Sequence, residues 1–211
     1  MTISVTCIET ADAKERCFVM KTRIVGGIGV AALAITLGIV GAAWAGSDDK
    51  KKDETKEHDT AKVVLEKAKI DLLKAIETAV GKVPKGKPIY ATTAQEDGKL
   101  LFEVYLLVGD KVTEVEVDAV TGDVVKVEEG EEDEVENLAD AKKVLASSKI
   151  TFAQAIATAK GKVEGGKPFE CEMELEDGKS IIEVELLAGN KVMKVEIDAI
   201  SGKVLEVKEE K

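Results

Sequence analysis

The spacing of apolar residues changes from a helical period to a strand period along this chain. Ala61, Val64, Leu65 and Ala68 recur at intervals of three and four residues, which predicts a short amphipathic helix. Further along, the segment FECEMELE at 169–176 alternates apolar residues with glutamates, which predicts a half-buried strand. The pattern therefore predicts helices followed by strands.

The same succession of motifs occurs twice. The segment VDAVTGDVVKVEEG at 117–130 corresponds to IDAISGKVLEVKEE at 197–210, and EDGK occurs at both 96–99 and 176–179. The offset between the copies is 80 positions throughout, with no gap. Such self-similarity is typical of a tandem duplication of one supersecondary unit.

Each copy also contains a second predicted helix. It begins at Asp71 in the first copy and at Thr151 in the second, where the segment TFAQ fits a capping box. Gly81 and Gly161 follow the apolar stripe of this helix, so both are predicted to end it in a left-handed conformation.

Glycine-containing turns divide the remainder of each copy into four strands. Asp-Gly at 97–98 and 177–178 predicts a type I′ hairpin, and Gly109 and Gly189 begin a second two-residue turn. The third turn carries the sequence D-A-x-[ST]-G, in which an Asp side chain accepts backbone hydrogen bonds and the glycine takes positive φ. Its predicted structural residues are Asp118, Thr121, Gly122, Asp198, Ser201 and Gly202.

The predicted fold class is α+β. Two tandem small modules follow an N-terminal apolar segment, each with one or two helices packed on a four-stranded antiparallel meander. The first repeat covers 61–130 and the second 140–211, and the acidic segment 131–139 is predicted to be a solvated linker. Each repeat is long enough to fold alone, although only marginally.

The N-terminal part of the chain is predicted to direct export. Residues 24–45 carry no charged side chain, follow the basic segment MKTR and end in Ala-Trp-Ala. These features are typical of a signal peptide at 20–45 that is cleaved after Ala45. The alternative is an uncleaved membrane anchor, because the apolar run reaches the ~20 residues that span a bilayer.

The segments on either side of this apolar run have separate interpretations. Residues 1–19 are polar and of mixed charge, which favours an upstream extension before a start at Met20 over a start at Met1. Residues 46–60 are predicted to be a charged tether. The mature protein is therefore expected in the periplasm, the cell envelope or the extracellular space, and it contacts the membrane only if the anchor is retained.

Net charge and cysteine content exclude several classes of function for this chain. The formal net charge is −11, and so acidic a chain is not expected to bind nucleic acid. Cys7 and Cys17 precede the export segment, which leaves Cys171 as the single thiol of the exported part and excludes a disulfide framework. Cys171 lies on the apolar side of its predicted strand, so we expect it to be buried rather than nucleophilic.

No arrangement of residues predicts catalysis or a cofactor. His58 is the single histidine and stands in the charged tether, without a partner for a triad or a zinc site. The glutamates at alternate positions of one strand would share one sheet face with glutamates of the neighbouring strands. That face is predicted to be solvated, with calcium binding or contact with a basic partner as alternatives, although D-A-V-T-G-D is not a calcium loop. The carboxylates concerned are Glu170, Glu172, Glu174, Glu176, Glu183, Glu185 and Glu196. No residue is assigned as a metal ligand.

The order of these motifs resembles the PepSY family, named for peptidase propeptides and YpeB. The motifs are A-I-x-x-A, G-K-P, E-D-G-K and V-D-A-x-T-G-x-V, found twice between about Ala61 and Lys211, with Ser201 replacing the usual Thr in the second copy. The resemblance implies an exported, non-catalytic protein that binds and inhibits a protease, for which an exported metalloprotease is the expected partner. The alternative function is an acidic structural or calcium-binding protein of the envelope.

Overall fold

The computed structural model describes residues 48–130, 135 and 137–210, with side chains from Lys56 onward. The predicted extension 1–19 and export segment 20–45 lie outside these residues. So do Cys7, Cys17 and residues 131–134 of the predicted linker.

The described chain contains the same order of elements twice, namely two helices followed by four strands. The helices are α1 (Asp48–Lys67), α2 (Leu72–Lys82), α3 (Leu138–Ser147) and α4 (Phe152–Lys160). The strands are β1 (Lys87–Glu96), β2 (Lys99–Val108), β3 (Lys111–Asp118), β4 (Val124–Glu129), β5 (Lys167–Glu176), β6 (Lys179–Ala188), β7 (Lys191–Asp198) and β8 (Val204–Glu210). The predicted α+β class with two tandem modules is confirmed.

The two meanders join edge to edge in one antiparallel sheet of eight strands. Its order is β4-β3-β2-β1-β5-β6-β7-β8, so the first strands of the two repeats are neighbours. At this join Tyr90 pairs with Glu172 and Ala91 pairs with Cys171. The fourth strands of the two repeats therefore lie at the opposite ends of the sheet.

Strand register separates an apolar side of the sheet from a polar side. In the second repeat Cys171 lies opposite Val184, and all of its apolar neighbours on that side are buried. On the other side Glu170 lies opposite Glu185. The largest fully buried side chains come from both repeats and form one continuous cluster; they include Leu72, Ile89, Phe102, Leu106, Phe152, Ile156, Phe169, Ile182 and Leu186.

The N-terminal caps of the second helices follow from the local sequence. The carboxylate of Asp71 accepts a hydrogen bond from the backbone N–H of Lys74 at 2.9 Å. Thr151 and Gln154 form the predicted capping box, in which each side chain satisfies the backbone N–H of the other residue.

The predicted left-handed helix ends are wrong. Gly81 lies within α2, and Gly161 follows α4 with a right-handed φ of −70°. The left-handed residues lie four positions later, at Lys85 (φ 75°) and Gly165 (φ 71°). The left-handed residue therefore belongs to the loop between the helix and the following strand, and not to the end of the helix.

The first helix of each repeat extends beyond its predicted limits. α1 begins at Asp48, so most of the charged segment 46–60 is helical, and α3 begins at Leu138, within the segment predicted as a linker. α1 packs on β1 and reaches β5, while α3 packs on β5 and reaches β1. Both helices therefore cross the join. None of the helices in the described part of the chain is long and apolar enough to cross a membrane.

Candidate functional site

The D-A-x-T-G turn of the first repeat is closed by its own side chains. Oδ1 of Asp118 accepts hydrogen bonds from the backbone N–H groups of Val120 and Thr121, both at 2.8 Å. Oγ1 of Thr121 accepts from the N–H of Asp123 at 3.2 Å, and Gly122 has φ 80°. The bond from Thr121, more than the bond from Val120, holds the pKa of the Asp118 carboxyl below its usual range.

The turn of the second repeat has the same geometry. Oδ1 of Asp198 accepts from the N–H groups of Ile200 at 3.1 Å and Ser201 at 2.6 Å. Ser201 in turn accepts from the N–H of Lys203 at 3.4 Å, and Gly202 has φ 71°. The Ser201 bonds hold the pKa of Asp198 below its usual range. Replacing Thr by Ser at this position therefore leaves the hydrogen-bond pattern unchanged.

Each turn also holds the connection between the two helices of its repeat. The carbonyl of Ala119 accepts hydrogen bonds from the N–H groups of Lys69 and Ile70, at 2.9 and 3.3 Å. The carbonyl of Ala199 accepts from Lys149 and Ile150 at 2.8 and 3.3 Å. Oδ1 of each turn aspartate accepts backbone donors of its own turn, and the alanine carbonyl that follows holds the helix connection, so each turn joins its two helices to the sheet.

The two outer strands are the most exposed elements of the sheet. Each has a strand neighbour on one side, and each carries apolar side chains that are about two-fifths exposed. These are Val125 (41%), Val127 (42%), Leu205 (45%) and Val207 (41%). A strand at a sheet edge offers its unpaired backbone groups to an extended segment of another chain.

Both edge strands, β4 and β8, also have features that hinder nonspecific pairing with strands of other chains. The register shifts between Glu116 and Val117 on one side, and between Glu196 and Ile197 on the other. Lys126 of β4 forms an ion pair with Glu116 at 2.8 Å. Irregular register and charged side chains are typical protections of an edge strand, so a partner would have to match these edges specifically.

A cleft of about 310 Å³ follows β3 and β4 of the first repeat. It is lined by Val108, Lys111, Val112, Thr113, Val127, Glu128 and Glu129. Lys111 and Glu129 form an ion pair of 2.7 Å along it. Thr113, which lines this cleft, corresponds in sequence to the larger Met193 of the second repeat.

The sequence predicted a solvated face for the carboxylates on the polar side of the second repeat, and the structure shows this only in part. On β5, Glu176 is exposed and Glu170, Glu172 and Glu174 are partly exposed, whereas the carboxylates of β6 and β7 are buried. Glu183, Glu185 and Glu196 are 3%, 8% and 8% exposed. The ammonium group of Lys194 lies 2.5 Å from Oε1 of Glu183 and 3.6 Å from Oε1 of Glu185. The prediction is therefore wrong for the carboxylates of β6 and β7, where Lys194 of β7 lies beside Glu183 and Glu185 of β6 and the side chains cover one another.

Burial changes the protonation of these groups. It raises the pKa of Glu183 to about 7, against the opposing effect of Lys194. It also raises the pKa of Glu170 well above its usual range, with further contributions from Glu185 and Glu172. Cys171 is fully buried, as predicted, and burial raises the pKa of its thiol well above the usual range. A thiol of this kind is a poor nucleophile.

One group of carboxylates has the spacing of a cation site. Glu172, Glu174 and Glu183 each place an oxygen within 4.8 Å of the others. Calcium and magnesium prefer oxygen ligands of this type. Lys194, however, already supplies a positive charge next to Glu183.

Sequence reasoning missed the environment of His58. Nε2 of His58 lies 3.3 Å from Oε2 of Glu185, and its ring meets the Phe169 ring edge-on at 5.9 Å between centroids. Its side chain is 20% exposed, so it lies in a contact between α1 and the second repeat and not in a solvated tether. The available signal was the repeat itself, since position 58 corresponds to the buried Leu138.

Hydroxyl groups of β1 bind a carboxylate of β5 at the join. Oε2 of Glu170 accepts hydrogen bonds from the hydroxyl of Tyr90 at 3.3 Å and that of Thr92 at 3.0 Å. The Tyr90 ring stacks on Tyr105, with 5.5 Å between centroids. The polar side of the join is therefore a connected set of titratable groups.

Comparison with solved structures gives distant similarities. The chain is 19% identical to a Clostridium difficile 630 protein provisionally described as a lipoprotein, with a TM-score of 0.40, covering 68% of this chain and 95% of that one. It is 17% identical to the Bacillus megaterium YpeB C-terminal domain, with a TM-score of 0.27, covering 69% and 67% of the two chains. No curated protein matches the chain significantly.

A family model gives the decisive match. The model described as "Peptidase propeptide and YPEB domain" matches residues 69–128 and residues 149–208. The two matches cover more than half of the chain, and each runs from just before the second helix into the fourth strand of one structural repeat. The chain therefore belongs to the PepSY family, with two copies of the domain in tandem.

Proposed function

We propose that this chain is an exported, non-catalytic PepSY-domain protein that binds a protease and inhibits it by protein–protein contact. Membership of the family supports a protein partner in general. The observation that carries the proposal is the pair of exposed edge strands, β4 and β8, with their apolar side chains. An exported metalloprotease is the partner that we expect.

An extended segment of the protease would add to one of these edges as a further strand. Main-chain hydrogen bonds would supply affinity, and the side chains at alternate positions would supply specificity. Val125 and Val127 of β4, or Leu205 and Val207 of β8, offer the apolar contacts. This geometry blocks a protease without any reacting group on the inhibitor.

The net charge of the chain supports association with a basic surface. At a formal charge of −11, the chain attracts a cationic partner over distances comparable with the Debye length. We expect this attraction to increase the association rate more than the final affinity. Inhibition should therefore develop more slowly as salt is added.

The test is to titrate secreted proteases of the host with the protein and to follow peptide hydrolysis at low and moderate salt. Val127→Lys alters the β4 edge and Val207→Lys alters the corresponding position of β8. Glu164→Gln, an exposed change in the α4–β5 loop, is the matched control. We expect at least one edge variant to weaken inhibition about tenfold and the control to have no effect. Unchanged inhibition by a double variant that carries both Val127→Lys and Val207→Lys would contradict edge pairing.

Export itself is part of the proposal and has a separate test. N-terminal sequencing of the protein from its host is expected to find Gly46 as the first residue, because Ala-Trp-Ala precedes it. Recovery of residues 24–45 in the membrane fraction would show instead that the segment is an anchor.

Calcium binding is a second candidate, favoured by the clustered oxygens of Glu172, Glu174 and Glu183. It would make the second repeat an acidic structural or cation-binding module of the envelope. Calcium should then raise the melting temperature of the protein, and Glu174→Gln should remove that increase. A melting temperature that does not respond to millimolar calcium would exclude this candidate.

A further inference from the structure

The eight-stranded sheet already contains one edge-to-edge contact between two copies of the same unit. β1 and β5 are the corresponding strands of the two repeats, and they lie antiparallel, with Ala91 paired to Cys171. The repeat unit therefore can associate with a copy of itself through an edge strand. β4 and β8 form the two ends of the joined sheet.

The charged side chains of β8 face like charges on the strand next to it. Lys208 lies opposite Lys194, and Glu206 lies opposite Glu196. Like charges directly opposite each other on neighbouring strands are destabilising. The ammonium group of Lys208 lies 3.7 Å from Oε1 of Glu196 and 3.5 Å from Oε1 of Glu210. Neither charge of the Glu206–Lys208 pair thus has an opposite charge directly across from it on β7.

β4 of the first repeat differs in this respect. Lys126 and Glu128 stand where β8 has Glu206 and Lys208, so the two charges are exchanged. Lys126 lies opposite Glu116, and its ammonium group is 2.8 Å from that carboxylate. It also forms an ion pair with Glu128 of its own strand. The lysine of β4 is therefore paired within its own repeat.

The sequence of β8 is self-complementary when two copies lie antiparallel. With Val207 opposite Val207 of a second copy, Lys208 lies opposite Glu206 of that copy, and the reverse holds across the twofold axis. Opposite charges then face each other twice, and two valines that are 41% exposed in the single chain meet at the axis. The irregular register at Glu196–Ile197 affects the beginning of β8 and lies outside these three residues.

We propose that two copies of this chain associate through β8, antiparallel and centred on Val207, and so form one continuous sheet. The proposal does not depend on protease binding, and it leaves β4 as the edge that is open to a protease.

The charges disfavour the corresponding contact between β4 of one copy and β8 of another. With Val127 opposite Val207, Lys126 would face Lys208, and Glu128 would face Glu206. Such a head-to-tail contact would also repeat without limit, whereas a twofold contact closes after two copies. We therefore expect a dimer and no larger species.

The dimer is expected to be weak and reversible. β8 has seven residues, and a stable protein interface usually buries at least about 1,200 Å² in total, which so short a strand does not supply alone. Each copy also carries a formal charge of −11, so the two copies repel each other at low salt. At about 0.15 M salt this long-range repulsion is largely screened, and we expect a dissociation constant of about 10–100 µM.

Sedimentation velocity of the purified protein tests the proposal, over about 1–500 µM protein at about 0.15 M salt. Val207→Lys places two lysines at the twofold axis and should raise the dissociation constant at least about tenfold. Val127→Lys makes the same change at the corresponding position of β4 and is the matched control, which should leave the dissociation constant unchanged. Both valines are about two-fifths exposed, and circular dichroism checks that both variants fold.

A charge exchange tests the register of the two strands. Lys208→Glu places a glutamate opposite Glu206 of the second copy, twice in the dimer, and should weaken association about tenfold. Glu206→Lys should weaken it similarly, because each new lysine faces Lys208. The double variant that carries both changes has complementary charges again, so it should recover the association of the unaltered protein.

Four results would overturn the proposal. They are a monomer at every concentration, equal weakening by Val127→Lys and Val207→Lys, species larger than a dimer, and failure of the double charge variant to recover association. No protease is present in these measurements, so failure of the dimer and failure of protease inhibition are observed separately.

Discussion

The polar side of the sheet differs in chemical character between the two repeats more than the apolar side does. The first repeat presents Tyr90 and Tyr105, and the corresponding positions of the second repeat hold Glu170 and Glu185. The strands that carry these residues nevertheless begin and end at corresponding residues. Two aromatic hydroxyls and two carboxylates are accommodated by the same backbone, so the polar side does not determine the fold.

The apolar side keeps its character in both copies. Phe102 corresponds to Ile182 and Val104 to Val184, and all four side chains are buried. Buried apolar area is the dominant favourable term in folding, which explains why these positions change only among apolar residues. The polar side varies more, although both repeats bury carboxylates there: Glu114 and Glu116 in the first, and Glu183, Glu185 and Glu196 in the second.

The largest expected effects come from removing a core side chain at corresponding positions of the two repeats. Phe152→Ala should cost about 3–5 kcal/mol, and Leu72→Ala about 2–5 kcal/mol, because each leaves a cavity in a fully packed cluster. Both side chains are almost completely buried at the start of the second helix of their repeat.

The same two variants test whether the two repeats unfold together or separately. The buried residues of both repeats form one cluster, so we expect either variant to lower the midpoint of a single urea transition, followed by circular dichroism. Two transitions, each shifted by the variant in its own repeat, would show that the repeats unfold separately.

A smaller effect is expected at the glycines of the D-A-x-[ST]-G turns. Gly122 and Gly202 have φ of 80° and 71°, and a Cβ at either would lie 3.4 Å from the side chain of Ile70 or Ile150. Changing either glycine to Val should cost about 1–3 kcal/mol, because β-branched residues adopt positive φ poorly. The two variants should lose similar amounts of stability in urea titrations. An unchanged midpoint for one of them would show that its turn rearranges at little cost.

Local signals in the sequence predicted the elements and most of their turns. The Thr151 capping box and the alternation around Cys171 are formed within a few residues of chain, so single-sequence patterns contain them. Asp97 and Gly98 likewise both have positive φ, as a type I′ hairpin requires. Each of these features depends on neighbours in sequence.

The features that escaped prediction depend on residues far apart in sequence. Ala91 pairs with Cys171 between two strands that no hairpin connects, so no turn motif in the sequence predicts this pairing. Glu183 is buried because Lys194 arrives from the next strand, and an alternating pattern alone cannot distinguish a covered carboxylate from a solvated one. His58 lies in a charged segment without apolar periodicity, and its partner comes from the other repeat.

The smallest expected effect concerns the loop between the second helix and the first strand of each repeat. Lys85 and Gly165 occupy corresponding positions with nearly equal left-handed φ, 75° and 71°. A Cβ at Gly165 would meet nothing within 4 Å, so only the backbone conformation opposes a side chain there. Gly165→Lys should therefore cost about 1 kcal/mol, the usual penalty of a left-handed residue that is not glycine.

The reverse change should not return the same amount. Lys85→Gly removes the left-handed penalty but increases the entropy of the unfolded chain, which costs about 0.5–1 kcal/mol, so the net gain should be no more than a few tenths of a kcal/mol. Urea midpoints of the two variants, measured against the unaltered protein, give both numbers. Equal and opposite shifts would mean that the unfolded chain contributes little at this position. No shift for Gly165→Lys would mean that the loop of the second repeat adopts another conformation without cost, and that the two loops are not energetically equivalent.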